Sequence, residues 1–234
     1  MIHSRLLTSP LPRSQVLGSP PRRRTGRRPE PGYRLGRPGH PAEEPTLLIA
    51  IFDDSGSVIS PAGTDPLSNR YAEATGAFAA VARKGARHEL GAILHFDTPC
   101  SGDVGPVPIT RRGLLTLRPG LRPPPDARGS SELEPSLRRA TEMAEAYPGH
   151  KATLIVASDF LLMDPEPADV LTELAAFPGQ VHAVVLGTRL PAGVLEERIT
   201  LTRIRRDAPP GAVARALFSS LVVHRPGGCV DQGM

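Results

Sequence analysis

Residues 47–52 read Leu-Leu-Ile-Ala-Ile-Phe, an unbroken apolar run that stops at Asp53. A strand with one wet face alternates apolar and polar residues, so a run with no polar member must be covered on both faces. The signature recurs at 152–158 (Ala-Thr-Leu-Ile-Val-Ala-Ser), at 181–186 and, more weakly, at 88–96. Helical spacing fills the gaps. Leu67, Tyr71, Ala74, Phe78 and Val81 precede Gly85, and Leu133, Leu137, Ala140, Ala144 and Tyr147 share one helix face. Further helices are expected over 167–177 and 213–223. Apolar strands alternating with amphipathic helices predict an α/β fold, a Rossmann-like, doubly wound, mostly parallel central sheet with helices on both faces. Within it, Asp65-Pro66 reads as an N-cap followed by Pro at the first helical position. Residues 199–204 read as an edge strand, and Leu114–Leu117 as a short strand inside the Pro- and Gly-rich stretch 98–130.

The chain has 234 residues, 39% of them hydrophobic, enough for one well-buried core. Its +4 net charge is uneven: residues 1–45 hold nine Arg and three Glu, so the remainder sums to −2. That first segment is rich in Pro, Arg, Gly and Ser and cannot bury enough surface to offset its ordering entropy. The expected division is a disordered tail over 1–45, one domain over 46–225 and a flexible end over 226–234. Cys100 and Cys229 are too few and too far apart for a disulfide framework or a zinc site, which suits a reduced, cytoplasmic setting. No apolar stretch approaches the ~20 residues of a membrane span. Aromatic residues are 4% of the chain, so base-stacking platforms are not expected. Arg far outnumbers Lys and Pro and Ala are abundant, a composition that suits a GC-rich bacterial genome.

Chemistry concentrates where the apolar strands end. Asp53-Asp54-Ser55-Gly56-Ser57 sets carboxylates and hydroxyls at the end of one strand, and Asp159 ends another. In an open parallel sheet both lie on the rim where ligands bind. A hard divalent cation takes such oxygen donors, in near-octahedral geometry if it is Mg²⁺. Gly129-Ser130-Ser131, before the helix at 132–147, could add a further hydroxyl.

These residues resemble the von Willebrand factor A (vWA) domain and its metal-ion-dependent adhesion site (MIDAS). The family pattern is Asp-x-Ser-x-Ser after the first strand, a distant Thr in a Gly-rich loop and an Asp after a central strand. Asp53, Ser55 and Ser57 match the first element, Ser131 stands where the family has Thr, and Asp159 matches the last. Ser130 is the alternative for the third position, and Phe160 stands where Gly is common. The resemblance implies that Asp53, Ser55, Ser57, Ser131 and Asp159 hold Mg²⁺ or Mn²⁺. It also implies that a partner protein's carboxylate completes the coordination. The chain would then be a non-enzymatic adaptor or scaffold, and cytoplasmic relatives of this kind often work with ATPases.

Other readings compete. Ser131 and Glu134 fit a helix capping box, and Asp54 reads as a solvated flank. Alternatively Asp54-Ser55-Gly56 resembles the aspartic-peptidase signature with Asp54 as catalytic acid. Such chemistry needs a second carboxylate and a mostly β fold. The cluster Arg22, Arg23, Arg24, Arg27 and Arg28 could bind nucleic acid. Asp97 and Asp164 read as turn or cap residues, and His95 and His182 as packed within strands.

Overall fold

The computed structural model describes residues 32–65, 69–187, 195 and 198–231. The apolar runs form β2 (Thr46–Phe52), β3 (Glu89–His95), β5 (Lys151–Ser158) and β6 (Gln180–Leu186); β1 (Gly36–Pro38) precedes them, β4 (Val104–Pro108) lies between β3 and β5, and β7 (Thr200–Ile204) and β8 (Gly228–Val230) follow. Six of them make one sheet in the order β4-β3-β2-β5-β6-β7, parallel except for β4. The helices are α1 (Gly56–Ile59), α2 (Asn69–Ala82), α3 (Gly113–Leu117), α4 (Glu134–Ala146), α5 (Pro167–Ala175) and α6 (Ala212–Val222).

Alternation along β2 divides the core in two. Leu48, Ala50 and Phe52 pack on the side of α2 and α6, with Phe78, Leu217 and Phe218. Leu47, Ile49 and Ile51 pack on the other side with Leu137 of α4 and Val170 and Leu174 of α5. Both faces of the central strands are covered, as the all-apolar runs require. Strand order reverses between β2 and β5, so the ends of those two strands flank the topological switch point.

One local expectation differs from the structure. Leu114–Leu117 lie in helix α3, not a strand, because Leu114 and Leu117 at i, i+3 turn toward the same core. The strand of that region is β4, which returns antiparallel to β3 and carries Pro106 and Pro108 at the sheet edge, where a missing N–H is tolerated. Asp65 does cap α2, accepting from the N–H groups of Asn69 (2.9 Å) and Arg70 (3.2 Å). Pro66 and Leu67 lie outside the described residues.

The domain also extends past both expected boundaries. β1 pairs antiparallel with β8, so segments assigned to a tail and a flexible end form a two-stranded sheet. A buried ion pair explains this. Arg225 Nε and Nη2 donate to the two Glu89 oxygens, each at 2.6 Å, and Nη1 donates to Pro38 O. Glu89 also accepts from the N–H groups of Ala42 and Ala86. One carboxylate thereby fastens the first and last segments to the foot of β3. The expectation for residues 1–31 lies outside the described residues.

Burial pushes the Glu89 carboxyl up, but the bonds from Arg225, Ala86 and Ala42 and the Arg225 charge outweigh it, leaving the group below its ordinary range. A depressed carboxyl stabilises the fold above its unfolded pKa, and that stability is lost as pH falls through the folded value. Arg225→Met strands a buried carboxylate, so it is expected to cost about 3–5 kcal/mol near pH 7. The difference from wild type should narrow as pH falls below about 4, where the carboxylate's contribution to the wild type is progressively lost. Urea denaturation across pH measures both.

Candidate metal centre

β2 and β5 run in parallel register, and the pairing continues one residue past β2: Asp53 N–H donates to Ala157 O at 3.1 Å. Asp53 therefore sits beside Ser158 and Asp159, two carboxylates meeting at the switch point. Asp53 is 1% exposed and Asp159 fully buried. Asp53 Oδ1 accepts from Ser55 N–H (2.8 Å), and Oδ2 accepts from the Ser158 hydroxyl (2.5 Å). Burial pushes the Asp53 carboxyl above its ordinary range and the Asp159 charge pushes the same way; the Ser158 and Ser55 bonds only partly offset this. Asp159 Oδ1 accepts from Leu161 N–H (3.1 Å), while its Oδ2 is buried with no hydrogen-bond partner among the described residues. A buried carboxylate oxygen left unbonded carries the full desolvation penalty.

The serines converge on the same end of the sheet. Ser55 is fully buried at the entry to α1, and its Oγ lies 3.0 Å from Ser57 Oγ. The third loop reaches this segment through Gly129, whose φ of +79° favours glycine. A Cβ placed there would lie 3.8 Å from Asp54 O and 3.9 Å from Gly56 N, so the two loops pack backbone to backbone. Asp97 pins that loop by accepting from the N–H groups of Arg128, Gly129 and Ser130 at 2.7–3.1 Å. It is a loop anchor, more than the turn residue expected.

The capping-box reading of Ser131 fails. The helix N–H groups of Leu133 and Glu134 donate to Asp164, at 3.0 and 2.9 Å, so a carboxylate from beyond β5 caps α4. Ser131 is tied to the same loop, its carbonyl accepting from Met163 N–H at 3.0 Å. Its hydroxyl bonds to no described residue, whereas Ser130 Oγ accepts from Glu132 N–H. The donor set is thus hydroxyls and two carboxylates. Among the described residues no group of three His, Cys, Asp or Glu forms a metal cluster.

Asp54 is the largest correction. It is 1% exposed, not a solvated flank. Its carboxylate accepts from Arg70 Nη2 (2.6 Å), from the Tyr71 hydroxyl (2.7 and 2.8 Å) and lies 2.8 Å from His95 Nδ1. Arg70, fully buried, also donates from Nη2 to Asp53 O (2.9 Å) and from Nη1 to Asp65 (2.8 Å), and its guanidinium stacks 4.6 Å from the Tyr71 ring centroid. Arg70 thereby ties both ends of the segment from Asp53 to Asp65. Burial pushes Asp54 up, but the His95 bond, the Arg70 charge and the Tyr71 hydroxyl outweigh it, leaving the carboxyl below its ordinary range. An ion-paired, enclosed carboxylate in an α/β sheet does not fit the catalytic acid of an aspartic peptidase.

Ser158 and Arg70 are functional residues that no motif marks. Ser158 had one local signal, a hydroxyl directly before the rim aspartate; Arg70 had none. His95 and His182 are packed as expected, His182 between the hydroxyls of Ser220 and Thr202. Phe160 adopts φ +57°, the left-handed conformation that explains why a glycine is at home there. Cys100 is no activated thiolate, since burial pushes its thiol up to about 12.

No protein-family model matches the sequence, and no curated protein matches it. Solved structures match by shape. A von Willebrand factor type A protein from Catenulispora acidiphila superposes with a TM-score of 0.57 at 13% identity, covering 82% of this chain and 49% of that one. The pilus adhesin SpaC from Lactobacillus rhamnosus GG gives 0.56 at 13%, covering 80% and 31%. Proximal thread matrix protein 1 from the mussel byssus gives 0.53 at 14%, covering 78% and 48%. The chain spans half or less of each of these structures. The likeness establishes the fold, a vWA-like α/β domain.

Asp54→Asn removes the nearer of the two carboxylates paired with the buried Arg70, leaving only Asp65, and is expected to cost about 3–5 kcal/mol near neutral pH. Because the Asp54 carboxyl is depressed, its contribution is lost as pH falls, so the deficit should shrink below about pH 4. Equal stability of variant and wild type at pH 7, by urea denaturation, would return Asp54 to the role of a surface flank.

Proposed function

We propose that this chain is a metal-dependent protein-interaction module. Ser55, Ser57, Ser131 and Asp159 hold a divalent cation, Mg²⁺ or Mn²⁺, with Asp53 acting through the hydrogen bonds it makes around them. The observation that carries the reading is Asp159 Oδ2, a buried carboxylate oxygen with no partner beside a second buried carboxylate. A cation would neutralise both charges and satisfy that oxygen. The bound ion supplies a Lewis-acidic position open to a carboxylate from another protein. Hydroxyl ligands leave more positive charge on an ion than carboxylate ligands do, which favours an anionic partner. Binding rather than catalysis is the reading, because the other acids of the rim are each engaged, Asp54 by Arg70 and Asp97 and Asp164 by backbone N–H groups. An adaptor role in a larger assembly, one containing an ATPase for example, fits such a module. Two free cysteines suit a reducing compartment such as the cytoplasm. Among the described residues no helix is long and apolar enough to cross a membrane.

Mn²⁺ at a hundredfold excess over its Kd should stabilise the wild type by about 2.7 kcal/mol, a rise of several degrees in the thermal midpoint. Asp159→Asn keeps the bond from Leu161 while removing one of two repelling charges. It is expected to raise the midpoint in chelator and to abolish the Mn²⁺ response. A wild-type midpoint indifferent to millimolar Mg²⁺ and Mn²⁺ would defeat the proposal, as would an Asp159→Asn protein less stable than wild type in chelator.

A further inference from the structure

Two exposed patches of opposite charge lie on opposite sides of the sheet. On the α2 and α6 side, Arg83, Lys84 and Arg87 follow the end of α2, all exposed. Arg111, Arg112, Arg118 and Arg122 flank α3, also exposed. The two groups are contiguous: a Cβ on Gly85 would run into Ile109 O, so the loop after α2 lies against the turn before α3. No Asp or Glu occurs between Val104 and Pro125, and none of these seven cations is ion-paired to a described residue. Leu115, 59% exposed, projects from α3 among them.

On the other side α5 carries the complement, while the exposed Arg138 and Arg139 of α4 on that side are ion-paired to Glu134 and Glu142 of their own helix. No Lys or Arg occurs between Lys151 and Arg189. Glu166, Asp169 and Glu173 are exposed on and beside α5. Leu161 and Met163, 54% and 75% exposed, lie on the loop that leads into α5. Leu117 of α3 and Val170 of α5 belong to the cores on opposite sides of the sheet, so the two patches cannot meet within one molecule.

We infer that the chain associates with a second copy of itself, head to tail, with the α3 face of one molecule on the α5 face of the next. Opposite charges steer the approach, and Leu115 gains cover from Leu161 and Met163. A nucleic acid or other polyanion would satisfy the cations but leave Leu115 in water and give the α5 face no role. Each copy keeps one used and one open surface, so the contact propagates into chains unless the rotation closes a ring. The basic face offers no exposed carboxylate to a cation, so this association is independent of the metal centre.

Sedimentation velocity of the full chain tests this. Association should grow with concentration at about 50 mM salt and dissolve at about 500 mM, where screening is strong, and chelator should leave it unchanged. The pair Arg111→Glu, Arg118→Glu should be monomeric, as should Asp169→Arg, Glu173→Arg. An equimolar mixture of the two should associate again, because each reversed face meets its new complement. Leu115→Ser, which alters no charge, should weaken association severalfold. A wild type that stays monomeric at low salt, or charge-reversed proteins that still associate alone or fail to associate when mixed, would overturn the inference. Dissociation by chelator would do the same, because it would route the contact through the ion.

Discussion

Two carboxylates are forced together at the point where strand order reverses, and most of the rim is arranged around that repulsion. The parallel register of β2 and β5 leaves no freedom: once Asp53 N–H bonds Ala157 O, Asp159 is its neighbour. Both groups are buried, so water cannot screen them. Ser158, Ser55 N–H and Leu161 N–H donate three hydrogen bonds to them, and one oxygen of Asp159 still receives nothing. Hydrogen bonds spread the negative charge without removing it. A proton or a cation removes it, and Arg70, the fixed cation nearby among the described residues, is committed to Asp54 and Asp65.

That commitment divides the labour between neighbouring residues. Asp54 and Arg70 form the frame, and the pair cost of burying them is offset by Tyr71, His95 and the Asp53 carbonyl. Asp53, Ser55 and Ser57 sit on that frame, Asp53 bonded to Ser55 N–H and the Ser158 hydroxyl and Ser55 Oγ to Ser57 Oγ. Asp97 and Asp164 do the same for the third loop, using carboxylates to hold N–H groups of a Gly-rich turn and a helix start. The loops of the rim are therefore set by buried ionic and polar contacts, and the hydroxyls are left to face one another.

Much of this was legible in the sequence, for a local reason. All-apolar runs admit few environments, so β2, β5 and β6 and their shared rim followed from pattern, and Asp53, Ser55, Ser57 and Asp159 fell on the rim with them. What the sequence concealed depends on distant partners. Nothing near Asp54 signals a pair with Arg70, and nothing near Ser131 shows that Asp164 caps the helix in its place. Val104-Gly-Pro-Val-Pro reads as a loop because edge position, a tertiary property, is what makes its prolines acceptable. Likewise β1 and β8 look like tails until Glu89 and Arg225, 136 residues apart, meet.

The most direct test of the central claim is anomalous diffraction from crystals grown with Mn²⁺. One strong peak is expected, bounded by the hydroxyls of Ser55 and Ser57 and by Asp159 Oδ2. A rim with no peak in crystals grown with millimolar Mn²⁺, or Asp159 Oδ2 engaged by a protein group instead, would contradict it.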